Sequence, residues 1–333
     1  MNSKRLSFGA MIGLLVQSAP SAAQVIIQDS LTGASSSYSW QAFNGACLTA
    51  GDGSTSTIPA CSTLPYYSGQ TQVGGYNGTL PDPIGSGALR FTNGGSAYHQ
   101  NGAVVSTVPF PSNSGVKVTF TTVTYRGDSG GSGKDGADGI SFYLMDGSQS
   151  PGIGAWGGSL GYTCSNTNPP YNGLVGAYLG LGIDEYGNFL NQSDNTASGW
   201  NYQPGRIGLR GAGNISWSWL NAKYPSYYPS SLTSSLQQAA VQNTCKTGYL
   251  WNYSNSSSPV KTSTAVMDYP AIPNAYAVLP SSQPIANESA LTRSSAIPIS
   301  YKLNITQDGL LSLAYSYNGG NYLPVISNQS ITA

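Results

Sequence analysis

Ile297-Pro298-Ile299-Ser300-Tyr301-Lys302-Leu303-Asn304-Ile305-Thr306-Gln307-Asp308-Gly309-Leu310-Leu311-Ser312-Leu313-Ala314-Tyr315-Ser316-Tyr317 is the stretch that decides the fold class. Ile297, Ile299, Tyr301, Leu303 and Ile305 fall at every second position, as do Leu311, Leu313, Tyr315 and Tyr317. Successive side chains of a strand point to opposite faces, so each run presents one apolar face. Gln307-Asp308-Gly309 stands between the runs, and an Asp-Gly step is a strong hairpin signal. The pair predicts an antiparallel hairpin with one buried face.

The same period recurs upstream. Val116 to Tyr125 alternates and is rich in β-branched and aromatic residues, and Ile140, Phe142 and Leu144 share a face of the next run. Leu179, Leu181 and Ile183 share another, and the glycines between them, Gly180 and Gly182, imply close approach of a neighbouring group to the backbone. From about 211 to 296 the alternation fails and Tyr, Ser, Pro and Asn cluster, with one helix candidate at 234 to 241; this reads as a loop-rich insertion. No repeat of 20 to 50 residues is visible, which argues against a solenoid or propeller.

Composition agrees with an all-β chain. Gly numbers 42, Pro 20 and Tyr 23, only 8% of residues are charged, and Glu occurs twice, at Glu185 and Glu288. A helical bundle would need Glu, Lys, Leu and Ala in quantity. Residues 1 to 23 have the pattern of an export signal, with Lys4 and Arg5, an apolar run from Phe8 to Val16 and Ser21-Ala22-Ala23 before Gln24. The expectation is a secreted or cell-surface chain whose mature part, 24 to 333, forms one large domain. No segment has the ~20 apolar residues of a membrane helix. Without Lys4 and Arg5, 11 of the 13 basic residues remain against 13 acidic, a net charge of −2 that offers nucleic acid no basic patch.

Four cysteines in an exported chain read as two disulfides. Three connectivities are open, and locality favours Cys47 with Cys61 and Cys164 with Cys245. The one histidine, His99, stands near no cysteine and reads as a structural residue, and Trp156 reads as a packing residue.

Chemistry concentrates in Gly182-Ile183-Asp184-Glu185-Tyr186-Gly187-Asn188-Phe189. A strand-like run there ends in a tight loop carrying the Asp184 carboxylate, the Tyr186 carbonyl two residues on and the Asn188 amide four on. Such a set of oxygens suits Ca2+, which takes six to eight of them. Asp135-Gly136-Ala137-Asp138-Gly139-Ile140-Ser141-Phe142-Tyr143-Leu144 and Gly157-Gly158-Ser159-Leu160-Gly161-Tyr162 are two further glycine-rich segments.

In this order, the three motifs resemble the L-type, legume-lectin-like family, closest to its bacterial secreted and surface-protein members. The resemblance extends weakly from Val25 to Ile326 and implies a concanavalin A-like jelly-roll sandwich of two antiparallel sheets. It also implies roles. Asp138, following a cis Ala137-Asp138 peptide, would accept hydrogen bonds from sugar hydroxyls; Gly158 would donate a backbone N–H; Tyr186 would stack on the sugar ring; and Asn188 would serve both metal and sugar. Asp184, the Tyr186 carbonyl, Asn188 and Asp194 would bind calcium. Plant members carry Glu two residues before the Asp for a transition metal. Gly182 stands there, so calcium without manganese is expected. The second carboxylate also departs from the plant spacing: position 193 is Ser and Asp194 lies ten residues beyond Asp184. After Tyr322 to Ile326 the family adds further strands, whereas this sequence stops at Ala333, so the resemblance implies a sandwich without its closing C-terminal strands.

The resulting expectation is a secreted, calcium-dependent carbohydrate-binding domain with a glycan or glycoconjugate as partner, serving adhesion, with no catalysis. Two rivals stay open: a glycoside hydrolase or lyase on the same sandwich, and a non-binding structural module of a surface protein. Hydrolysis ordinarily needs two carboxylates about 5 to 9.5 Å apart. Glu185 adjoins a presumed metal ligand and Glu288 lies in the insertion, so neither completes such a pair. Gly127-Asp128-Ser129-Gly130-Gly131 copies a serine-protease string without a matching histidine context, and Arg126-Gly127-Asp128 is a triplet that chance produces often.

Overall fold

A computed structural model describes residues 25–54, 56–64, 75–92, 100–111, 113–125, 136–192, 194, 196–287 and 289–331. The export-signal stretch, His99, the segment 126–135 with both decoy motifs, and Glu288 lie outside them.

The described residues form an all-β sandwich carrying a helical lobe. Chain order is β1 (Trp40–Asn44), β2 (Cys47–Leu48), β3 (Leu89–Arg90), β4 (Gly102–Ser106), β5 (Val116–Thr122), β6 (Gly139–Met145), β7 (Ala177–Asp184) and β8 (Arg206–Arg210). Helices α1 (Trp217–Lys223) and α2 (Ser234–Thr247) follow, then β9 (Tyr249–Asn252), β10 (Val260–Ala265), β11 (Ala271–Val278), β12 (Ile299–Ile305), β13 (Leu310–Tyr317) and β14 (Leu323–Ser330). Two four-stranded antiparallel sheets, β14-β13-β12-β5 and β11-β8-β7-β6, face each other.

The hairpin read from the sequence is β12 and β13, paired from Ile299 opposite Tyr317 to Ile305 opposite Leu311. Ile299, Tyr301, Leu303, Ile305, Leu311, Leu313 and Tyr315 point into the sandwich and meet Leu179, Leu181 and Ile183 of β7 and Ile207 and Leu209 of β8. Each fully buried side chain of this size contributes roughly 1.5–3 kcal/mol. Phe120 of β5 stacks on Phe142 of the facing sheet at 5.7 Å and on Tyr301 at 5.2 Å.

The sheet β11-β8-β7-β6 is covered on its other face too. The Tyr162 ring lies over Gly180, Phe189 over Gly182, and Leu190 over Gly208, each where a Cβ would overlap the covering side chain. These three belong to a second core built with Leu220, Tyr228, Ala240, Val241, Cys245, Tyr253 and Tyr269. The close approach expected at Gly180 and Gly182 is therefore met by aromatic rings.

The stretch read as an insertion divides. Residues up to about 270 form the helical lobe, whereas Ala271–Val278 is β11, an integral strand beside β8. Its alternation is hidden by a register shift between Ala271 and Tyr276, and the shift contains Pro273 and Asn274 at φ 60°. The helix expected at 234 to 241 continues to Thr247, although its second half is built from weak helix formers such as Asn243, Thr244 and Thr247. Tertiary contacts hold it: Cys164–Cys245 staples it, Thr244 pairs with the Tyr228 hydroxyl at 3.0 Å, and Gly248 closes it at φ 68°. Helix α1 went unread in the sequence; Ser216 caps it by accepting the Trp219 N–H.

Cys47–Cys61 is the second disulfide, and both pairings agree with locality. No helix among the described residues is long and apolar enough to cross a membrane.

Replacing Gly182 by Val forces a branched side chain into the Phe189 ring. We expect a loss of about 1–3 kcal/mol in unfolding free energy and a changed near-UV circular dichroism spectrum as the rings shift. Urea denaturation of Gly182→Val checks both; unchanged stability would show that the ring does not seal this face.

Candidate functional site

The β6–β7 pairing sets Gly139 opposite Asp184, so the loop entering β6 and the loop leaving β7 meet at one end of the sheet. The Ala137–Asp138 peptide is cis, and the Asp138 carbonyl accepts the Tyr186 N–H at 3.1 Å, joining the loops directly. The glycine turn Gly157–Ser159 is tied to the same strand by the Ser141 hydroxyl, which donates to the Leu160 carbonyl at 2.6 Å. Asp138, Gly158, Tyr186 and Asn188 all line one large concavity.

Asp184 is 1% exposed and closes its own loop, Oδ1 accepting from Gly187 N–H at 2.8 Å and Oδ2 from Phe189 N–H at 2.7 Å. An ionised carboxylate offers about four acceptor sites, so two accepted bonds leave capacity for a cation or another donor. Burial pushes this carboxyl up to about 7 against the pull of the Gly187, Phe189 and Asn188 amides, and the Asp138 carboxylate pushes the same way as burial. The cup thus places two carboxylates within electrostatic reach, one of them desolvated.

Asn188 is half-buried; its Oδ1 accepts from Asn191 Nδ2 at 2.8 Å. The Tyr186 ring is half-buried and meets the edge of Tyr202 at 5.4 Å. Asp194 lies in the following turn, its N–H on the Asn191 carbonyl at 3.2 Å, and its charge acts on Arg210. Glu185 is buried, and its carbonyl accepts the Gly205 N–H at 3.2 Å, which packs segment 200–205 against the Asp184 loop. Trp156 lines the concavity beside the glycine turn, and its N–H bonds the Pro169 carbonyl. Among the described residues no three His, Cys, Asp or Glu side chains gather as a metal site. The oxygen donors of the cup are two carboxylates, a carboxamide and backbone carbonyls.

Arg210 was missed in the sequence. Fully buried at the end of β8, its Nε donates to the Phe189 carbonyl at 2.6 Å and Nη1 to the Tyr269 carbonyl at 2.8 Å. Nη1 also reaches the Ser198 hydroxyl, and Nη2 the Ser198 carbonyl, both at 3.0 Å. Burial lowers it to about 10, while the Asp184, Tyr162 and Asp194 charges hold it up, so it remains a cation at neutral pH. It fastens both ends of segment 189–198 and neutralises part of the Asp184 charge from the side of the sheet. A signal was present: in Arg206-Ile207-Gly208-Leu209-Arg210, Ile207 and Leu209 face the sandwich core, so both arginines face the covered side.

Comparison of the chain with protein-family models, curated proteins and solved structures finds no match.

Arg210→Met removes the fork beside a buried carboxylate: the Phe189 carbonyl loses its guanidinium donor, and the Ser198 and Tyr269 carbonyls keep only the Thr196 and Ser198 hydroxyls. We expect a loss of about 3–5 kcal/mol in stability. Arg210→Lys restores little, because an ammonium cannot reach three carbonyls in the same geometry. Urea denaturation of both variants decides; a Met variant as stable as the parent chain would remove this role.

Proposed function

We propose that the chain is an exported carbohydrate-binding domain of the L-type lectin kind, calcium-dependent and serving attachment to glycan-bearing surfaces. The observation that carries the reading is the junction of the Asp138 and Asp184 loops through the Tyr186 N–H to Asp138 carbonyl bond. That junction puts a half-buried carboxylate beside a buried one, with Gly158, Tyr186 and Asn188 lining the same concavity.

The donor set is all oxygen, which fits a hard cation. Asp184, the Tyr186 carbonyl and Asn188 would hold calcium, with Asp194 as a further ligand from the next turn. The ion would supply the positive charge that two neighbouring carboxylates call for and hold their loops rigid. The proposal contains no manganese site, since the Phe189 ring fills the space beside Gly182 that a carboxylate would need. Asp138 then accepts hydrogen bonds from two sugar hydroxyls, the Gly158 N–H donates where a side chain would obstruct, the Asn188 NH2 donates, and the Tyr186 ring covers the C–H face. Each contact is worth about 0.5–1.5 kcal/mol net, so a single sugar is held weakly and linked copies supply avidity. Jelly-roll connectivity of the sandwich belongs to the same proposal, as does secretion; the two disulfides support an oxidising destination.

Calcium near a hundredfold above its dissociation constant should stabilise the chain by about 2.7 kcal/mol, and EDTA should reverse the gain. Glycan-array binding should require calcium and disappear in Asp138→Ala and Asn188→Ala. No calcium-dependent shift in melting temperature, or array binding that ignores both substitutions, would overturn the reading. Cleavage of an oligosaccharide would favour a hydrolase instead.

A further inference from the structure

A second concavity, of about 310 Å³, opens in the helical lobe between the loop 165–172, the start of α1 and the first turns of α2. Its walls include the rings of Tyr171 and Trp217, both half-buried, and the carboxamides of Asn172, Gln237 and Gln238, with buried Val241 also in the lining; among the described residues no charged side chain lines it.

The walls are fastened to one another rather than to anything inside the cleft. Cys164–Cys245 joins the loop to α2, and Gln242 Nε2 repeats the link by donating to the Asn166 carbonyl at 2.8 Å. Asn172 Oδ1 accepts the Trp217 N–H at 2.8 Å, which fixes the loop to α1. Gln237 Nε2 is spent on the Leu232 carbonyl at 2.8 Å, which orients that carboxamide and leaves its Oε1 without a partner among the described residues. Gln238 makes only a long contact, Nε2 to Gln242 Oε1 at 3.4 Å. A cleft stapled open in this way has little conformational freedom left to lose on binding.

We propose that this cleft is a second, calcium-independent site for one residue of an uncharged glycan. A sugar ring offers apolar C–H faces and an equatorial belt of hydroxyls that donate and accept. The aromatic side chains of Tyr171 and Trp217 match the first, and carboxamides, which also donate and accept, match the second. The absence of charge in the lining disfavours acidic saccharides and phosphates. The size suits a single ring, at the small end of ligand sites, whereas a proline-rich peptide needs a longer groove. The proposal does not rest on the calcium cup and stands if that reading fails.

The test uses the full chain in EDTA, which silences any calcium-dependent binding. Cellotetraose, mannotetraose and xylotetraose are titrated by calorimetry and tryptophan fluorescence, beside a hyaluronan tetrasaccharide and a proline-rich decapeptide. At least one neutral tetrasaccharide should bind and change the fluorescence. The double variant Gln237→Ala/Gln238→Ala should weaken it about tenfold, the size of one or two lost hydrogen bonds. Trp217→Ala should abolish it; because that ring also packs on the lobe's core, the glutamine variant, checked for an unchanged melting temperature, is the decisive arm. No binding by any neutral tetrasaccharide, binding only by the peptide or by hyaluronan, or binding indifferent to the glutamines overturns the proposal.

Discussion

Bare backbone on the covered face of β7 and β8 is the constraint from which the rest of the structure follows. Gly180, Gly182 and Gly208 let Tyr162, Phe189 and Leu190 rest directly on the sheet, and Gly213 does the same for Tyr269. One sheet thereby serves two cores, the sandwich interior and the helical lobe. A strand with apolar side chains on one face and none on the other gains little from its outer face alone. The rings supply that burial, and the loops that carry them become part of the fold instead of surface excursions.

The candidate site inherits its rigidity from this arrangement. Phe189 is at once a ring on Gly182, a donor of N–H to Asp184 and a carbonyl acceptor for Arg210. Moving any one of the three disturbs the others. Arg210 is costly to bury, but its donors meet carbonyl or hydroxyl oxygens, and Asp184 lies close enough to repay part of its desolvation. Buried charge of both signs is thus concentrated beneath a cup whose rim carries Asp138, Tyr186 and Asn188, in a chain otherwise poor in charge.

Local patterns were legible where geometry repeats. The β12–β13 hairpin, β5, β6 and β7 could be read because their buried faces alternate without interruption, and the disulfides because short separation made one pairing the more economical. The loops of Asp138, Gly158 and Asp184 could be singled out as glycine-rich breaks after strand-like runs. β11 was not legible, since an irregularity around Pro273 and Asn274 sets the five-residue step from Ala271 to Tyr276 in β11 against the two-residue step from Arg210 to Gly208 in β8 and breaks the alternation. α1 and the end of α2 were not legible either: α1 is only seven residues long, the end of α2 is polar and weakly helical, and packing around Tyr228, Leu220 and the Cys164–Cys245 bridge holds them.

By itself the sequence determined that this is a β-sheet protein, where its principal strands run, and which carboxylates stand at the ends of those strands. Those properties depend on period, turn chemistry and residue type, which are local. Only the tertiary structure decided that Asp138 and Asp184 sit side by side, that Arg210 ties down the segment following Asp184, and that Trp217 and Tyr171 line one cleft. These are consequences of strand register and of which ring fills which glycine gap, and such pairings between residues tens of positions apart leave no periodic trace along the chain.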